Sequence, residues 1–228
     1  LDSRPDSDTG NYWVNIQLLD SQGRVQRQLG AASFQVEEFL PDTMKISSRL
    51  LPGSDNGWLS PEQLQAQVQL DNLFGTPAQN RRVTARFELI PASFRFPAFK
   101  DYRFVDLNNE QNPVQAVQQS LPEQQTDADG QTLFDLPLQQ YSGGTYQLLF
   151  HTEGFDSAGG RSVQASSLAL VSPLKQLVGF KADGDLTYLR KQQQRVLNFI
   201  AVDPALQQVQ LADLQLKLIS KQPLSSLV

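Results

Sequence analysis

Gln63-Leu64-Gln65-Ala66-Gln67-Val68-Gln69-Leu70 alternates polar and apolar residues without a fault. A strand turns successive side chains to opposite sides, so this octet predicts one wet face and one core face of an antiparallel sheet. A helix would scatter the same leucines around its circumference. Leu214-Gln215-Leu216-Lys217-Leu218 repeats the pattern. The chain has 30 glutamines. A prion-like tract would cluster them, whereas here they space apolar residues and serve as uncharged surface.

The rest of the chain punctuates similar runs with turn residues. Tyr12, Val14, Ile16 and Leu18 share one face, Asp20-Ser21-Gln22-Gly23 is turn chemistry, and a second run follows through Phe34 and Val36 to Phe39 and Pro41. A hairpin is the simplest reading. Glu37-Glu38 then falls at a seam between two units, where a charge pair is easily kept wet. Further strands are expected at 44–50, 64–70, 82–90, 133–138, 177–181, 186–191, 196–202 and 214–220, with Val114–Val117 either a strand or a short helical turn. Residues 1–8 are expected to be loose. No stretch of ten residues holds a capped 3.6 period, so almost no helix is expected.

The hairpin sentence occurs twice. Ser142-Gly143-Gly144-Thr145-Tyr146 opens a second copy, Asp156-Ser157-Ala158-Gly159-Gly160-Arg161 turns it, and Ser167–Pro173 closes it. Tyr12 to Tyr146 is 134 positions and Asp20 to Asp156 is 136; Trp58 to Tyr188 and Asp71 to Asp203 give 130 and 132. A repeat of this length is one domain long. The expected organisation is the C-terminal strands of one unit in 1–38, a complete unit in 39–172, and the N-terminal strands of a third in 173–228.

Gly10-Asn11-Tyr12 followed by Ser33-Phe34-Gln35-Val36-Glu37-Glu38-Phe39-Leu40-Pro41 resembles the junction between consecutive macroglobulin domains of the alpha-2-macroglobulin family. Asn72-Leu73-Phe74-Gly75-Thr76-Pro77-Ala78 is similar to a Tyr/Phe-Gly-x-Pro loop of those domains. Phe94–Phe104 and Thr126–Gln131 resemble the bacterial branch. The resemblance covers most of 9–172 and, more loosely, 173–228. It implies an all-β fold of antiparallel, immunoglobulin-like or fibronectin-like sandwiches in tandem. It also implies a non-catalytic scaffold segment of a periplasmic protease trap, in a parent protein that could be anchored to the inner membrane as a lipoprotein. Its partners would be neighbouring macroglobulin domains and, for the full-length protein, target proteases. The part after Pro173 resembles the start of the bait-carrying domain.

Composition removes several other classes. A formal net charge of −5 leaves no basic stripe for phosphates, so no nucleic-acid partner is expected. Arg81-Arg82 reads as a solvated strand start. Without cysteine there is no disulfide, no thiolate metal site and no thioester within the chain, and the redox compartment cannot be read. No apolar run approaches 18 residues, so no membrane-spanning helix is expected. Leu1 is not an initiator Met and no signal peptide is visible, so a mature or excised piece of something longer is expected.

No residue reads as catalytic, cofactor-binding or metal-binding. His151 is the sole histidine and alternates with Leu149, as a surface or rim strand residue does; no Ser-His-Asp set or Gly-x-Ser-x-Gly elbow surrounds it. Asp127-Ala128-Asp129-Gly130 has the opening of a calcium loop, but Gln131 follows and Leu138 occupies the twelfth position, where the bidentate Glu belongs. It reads as a hairpin turn. Asp183-Gly184-Asp185 and Asp203-Pro204 read as turns too. Phe94, Phe96, Phe99, Tyr102 and Phe104 form either a ligand platform or a strand and corner plugging the end of the sandwich. The second reading is expected, because five exposed rings make a patch soluble monomers seldom tolerate. Two other functions fit the residues: an immunoglobulin-like repeat of a surface adhesin or stalk, whose domains would be nearer 100 residues, and a carbohydrate-binding sandwich using the aromatics.

Overall fold

Asp20 turns the chain back on itself. Its Oδ1 accepts the amides of Gln22 and Arg24 at 2.8 and 2.9 Å, and its carbonyl accepts Gly23 N–H at 3.0 Å. Gly23 sits at φ +76°, where a side chain would be strained. The turn joins β1 (Gly10–Leu19) to β2 (Val25–Val36) as an antiparallel hairpin. Tyr12 opposes Phe34, and their rings stack at 5.5 Å. The computed structural model describes residues 10–36, 43–53, 56–106, 113–157, 162–187, 192–212, 214, 215 and 217. Glu37–Pro41 of the expected seam and residues 1–8 lie outside the described residues. The chain divides into two compact units, Leu1–Asp42 and Thr43–Val228.

Donation of backbone amides to Asp20, from Arg24 foremost and then Gln22, lowers its carboxyl pKa below the ordinary value. A depressed folded pKa stabilises above the unfolded value and is lost as pH falls through the folded one. Amide protection at Gln22 and Arg24 is therefore expected to decline only below about pH 4. Hydrogen exchange at those two amides, followed down in pH, checks this; Asp20→Asn should remove the pH step.

In the second unit the alternating octet becomes β4. β3 (Met44–Leu51) pairs with β4 (Gln65–Asn72). The chain continues through β5 (Arg82–Pro91), a two-residue β6 (Arg103–Phe104), β7 (Val117–Ser120), β8 (Gln124–Gln125) and β9 (Gln131–Asp135). β10 (Tyr146–Phe155) and β11 (Ser162–Val171) form the second hairpin; β12 (Leu177–Ala182) and β13 (Leu197–Val202) form a third. One sheet runs β3-β4-β9, a second β11-β10-β5-β7 with β8 also on β5, and a third β13-β12-β6. Every pairing between these named strands is antiparallel. The only helical turns among the described residues are the 3-10 segments Pro97–Phe99 and Leu138–Tyr141.

The first two sheets pack face to face. Ala66, Val68 and Leu70 of β4 are fully buried, while Gln65, Gln67 and Gln69 point out. Those glutamines lace the outer face: Gln65 Nε2 donates to Asp135 Oδ1 at 2.7 Å, and Gln67 Oε1 accepts Arg49 Nε at 2.7 Å. Across the core, Phe134 of β9 meets Phe150 of β10 with ring centroids 6.0 Å apart. Phe87, Leu89, Leu148 and Val83 belong to the same apolar cluster. At one margin Ser48 and Ser167 share a hydroxyl hydrogen bond of 2.7 Å between β3 and β11.

Several expectations need correction. The 133–138 strand ends at Asp135, because Pro137 carries no N–H and instead caps the 3-10 turn at Leu138. Beyond the strands expected, the polar stretch 108–129 supplies β7 and β8 from Val117 onward, and these extend the sheet beyond β5; its residues 108–112 lie outside the described ones. Leu186 and Thr187 are not in a strand, nor are Leu214, Gln215 and Lys217. The remainder of those two expected strands, with Tyr188 and Arg190-Lys191, lies outside the described residues, as does part of the Asp156–Arg161 turn.

Candidate functional site at the aromatic junction

Trp58 and Leu59 are neighbours in an extended segment, so their side chains point opposite ways. Leu59 enters the sandwich core, while Trp58 enters a second cluster with Phe94, Phe96, Phe104, Leu177 and Val202. The segment is fixed by Leu59 N–H to Leu170 O at 2.8 Å and Ser172 N–H to Leu59 O at 3.0 Å. Trp58 is 1% exposed, and its Nε1–H donates to Leu174 O at 2.7 Å. Its ring lies 5.6 Å from Phe94 and 5.9 Å from Phe96, and Phe96 meets Phe104 edge-on at 5.3 Å. Such pairs add about 0.5–1.5 kcal/mol each beyond area burial.

The aromatics therefore pack in a cluster separate from the sandwich core. They leave it to build the wall against which the β12–β13 sheet packs, and β6 joins that sheet by pairing Phe104 with Gly179. The Phe104 ring covers Gly179 so closely that an added Cβ would stand 2.6 Å from it. Gly57 approaches the 203–207 turn in the same manner: an added Cβ would stand 1.7 Å from Pro204 O. Sequence reading missed this because the five rings follow no simple period, and their partner strands come some 75 positions later. Trp58, a large apolar residue just after a turn-rich segment, was the available signal.

Phe94, Phe96 and Phe104 are buried, while Phe99 and Tyr102 are half-buried and meet at 87°. That excludes a flat sugar platform of Phe96, Phe99 and Tyr102. Beside them the 92–106 segment lines a half-open cavity of about 640 Å³, with Arg95, Lys100 and Arg103 exposed on its lining.

The acidic turns share one construction. Asp127 Oδ1 accepts Asp129 N–H at 2.9 Å and Gln131 N–H at 2.8 Å. Asp203 Oδ1 accepts Ala205 and Gln207 N–H at 3.0 and 2.8 Å. Both match Asp20, and the residue three positions on has positive φ in each: Gly23, Gly130 and Leu206. The Asp127 carboxylate thus spends one oxygen on its own backbone. Isothermal titration with calcium is expected to give no heat at micromolar affinity for this loop; a micromolar dissociation constant would refute the turn reading.

His151 lies in β10 between Arg86 and Ser166 on the neighbouring strands. No group of three or more His, Cys, Asp or Glu among the described residues is placed to hold a metal ion. Arg82 is more than a solvated strand start. Its guanidinium stacks 3.6 Å from the Phe155 ring centroid and pairs with Glu123 at 3.1 Å. Arg81 N–H donates to the buried Thr126 hydroxyl at 2.9 Å.

Two antiparallel sheets packed as a sandwich, with flanking hairpins, define the class of macroglobulin-like β-sandwich domains. A family model described as the bacterial alpha-2-macroglobulin MG5 domain matches residues 44–173. An alpha-2-macroglobulin homolog of Yersinia pestis is 43% identical over 221 residues, covering 97% of this chain and 11% of that protein. The alpha-2-macroglobulin of Pasteurella multocida is 38% identical over 222 residues, covering 97% and 12%. A crystal structure of a Salmonella alpha-2-macroglobulin mutant aligns with a TM-score of 0.49 at 20% identity, over 89% of this chain and 13% of that one. The chain belongs to the bacterial alpha-2-macroglobulin family. It spans 11% and 12% of the lengths of the two relatives.

Proposed function

We propose that this chain is a non-catalytic scaffold segment of a bacterial protease-trapping inhibitor. The observation carrying this reading is the MG5 match over 44–173, the stretch that folds as the sandwich. Residues 39–172 would be a complete macroglobulin-like domain, 1–38 the last strands of the domain before it, and 173–228 the first strands of the domain after it. The β1–β2 hairpin supports the second assignment: Tyr12, Val14 and Ile16 share an apolar face with Phe34 and Ala32, and Ile16 is 60% exposed. Such a face belongs against a second sheet. Phe74, at the tip of the Asn72–Ala78 loop and 98% exposed, supports contact with a neighbouring macroglobulin domain.

The parent protein would act in the periplasm, where it could be anchored to the inner membrane as a lipoprotein, with target proteases as its partners. No helix among the described residues is long and apolar enough to cross a membrane. Trapping needs a cleavable bait and a scaffold able to enclose an enzyme, and some trapping chemistry adds a reactive acyl group. Where that group is a thioester it needs a thiol, and the chain has no cysteine. Mixed with trypsin, the chain alone is expected to be nicked slowly while trypsin keeps full activity on protein and small peptide substrates. Deleting 44–173 from the parent protein is expected to abolish its trapping. Protection of a protein substrate by the chain alone, or a parent that traps normally after the deletion, would overturn the scaffold reading.

A further inference from the structure

The 92–106 segment carries more positive charge than its surroundings use. Arg95, Lys100 and Arg103 line the 640 Å³ cavity, and none forms an ion pair with a described residue. Of the nearby carboxylates, Asp101 pairs with Lys181 at 3.3 Å, and Asp106, which also lines the cavity, accepts the Thr145 hydroxyl on Oδ2 at 2.7 Å. The chain as a whole is acidic, with net charge −5. Three cations without an ion pair to any described residue, beside half-buried Phe99 and Tyr102, are therefore a local reversal of sign over an apolar floor.

The cavity also has a neighbour. A second hollow of about 480 Å³ shares Ala92, Ser93, Arg95, Phe96 and Pro97 with the first and reaches Leu168 of β11, which is 60% exposed. Arg95 thus borders both. A compact phosphate would occupy one converging set of donors. Two adjoining hollows with cations in one and an exposed leucine in the other suit an extended ligand instead. Its side chains recur every few ångströms and reach separate sub-sites.

We infer that the 92–106 segment and the adjacent face of β11 form a binding groove for an acidic polypeptide segment carrying an apolar side chain. Carboxylates would lie against Arg95, Lys100 and Arg103, and the apolar side chain against Leu168. Electrostatic complementarity of this kind sets partner choice and encounter rate, and it weakens with salt.

Fluorescence anisotropy on the intact 228-residue chain tests this. The probe is a labelled decapeptide of Glu and Asp with one central Leu, beside a counterpart of Gln and Asn with the same Leu. Inorganic pyrophosphate serves as competitor. The acidic peptide is expected to bind saturably and more weakly as salt rises. Arg95→Ala, Lys100→Ala and Arg103→Ala together should lower its affinity at least about tenfold with the thermal midpoint retained, since all three side chains are exposed. Leu168→Ser should weaken the Leu-containing peptide and leave an all-acidic one unchanged. Equal binding of the neutral counterpart, an unaltered triple variant, an unaltered Leu168→Ser variant, or no binding at millimolar peptide would each overturn the proposal. So would pyrophosphate binding without peptide binding, which would assign the cations to a small phosphate.

Discussion

Trp58→Ala is expected to detach the β12–β13 sheet while the sandwich stays folded. The side chain is 1% exposed and is the centre of the second cluster. Truncating a buried Trp costs about 3–5 kcal/mol, and leaving Leu174 O without its 2.7 Å donor adds about 1 kcal/mol. That is a large share of the roughly 5–15 kcal/mol that holds a domain together. The loss falls on one side only. Leu59, the next residue, faces the other core and keeps its contacts. Leu206, at φ +60°, is held in a strained conformation partly by packing on this same cluster, so the 203–207 turn should relax with it. Hydrogen exchange is the measurement. Amides of Leu177–Ala182 should lose protection while those of Gln147–Thr152 keep theirs; equal loss at both would mean a single cooperative unit without this division.

Phe150→Ala should act in the opposite sense and spread. Phe150 is fully buried in β10, the strand paired on both sides by β5 and β11, and its ring faces Phe134 across the sandwich. The expected cost is again about 3–5 kcal/mol. Here the damage should reach β12, because the wall that β12 rests on is held by the sandwich. Trp58 is positioned by the bonds of Leu59 to Leu170 of β11 and to Ser172 just past it, and Phe94 follows shortly after β5. Protection at Leu177–Ala182 and at Gln147–Thr152 should fall together, and the urea midpoint should drop for both. If Leu177–Ala182 kept its protection, the dependence of the third sheet on the sandwich would be wrong.

The difference between these two cores marks what could be read from the residues. β4 was legible because its glutamines and apolar residues alternate over eight positions, and the alternation alone fixes which face is wet. The Asp20, Asp127 and Asp203 turns were legible because a short carboxylate satisfies nearby amides locally. The aromatic junction was not. Phe94–Phe104 contains Pro97, forms only the two paired residues Arg103 and Phe104, and owes its arrangement to strands that come much later in the chain. Pro137 misled in a smaller way, since a strand pattern through Leu138 ignored that proline can begin a turn as readily as edge a strand. The cationic rim at Arg95, Lys100 and Arg103 was hidden for a related reason. The residues are dispersed in sequence among the rings, and only the cavity gathers them.

β6 has a mechanical consequence out of proportion to its two residues. It hands a piece of chain from before the β7–β11 segment to a sheet otherwise made of chain that comes after it. The covalent connector between β11 and β12 is thus not the only tether between sandwich and third sheet. A pull applied across the junction is shared among that connector, the β6–β12 pairing at Phe104–Gly179, the Asp101–Lys181 ion pair at 3.3 Å and the Trp58 backbone N–H bond to Pro204 O at 3.2 Å. Attachments at several separate points resist rotation as well as extension. The described residues of the second unit should therefore transmit torque as one stiff segment, and whatever bending a longer assembly performs would be displaced to a joint with fewer fastenings.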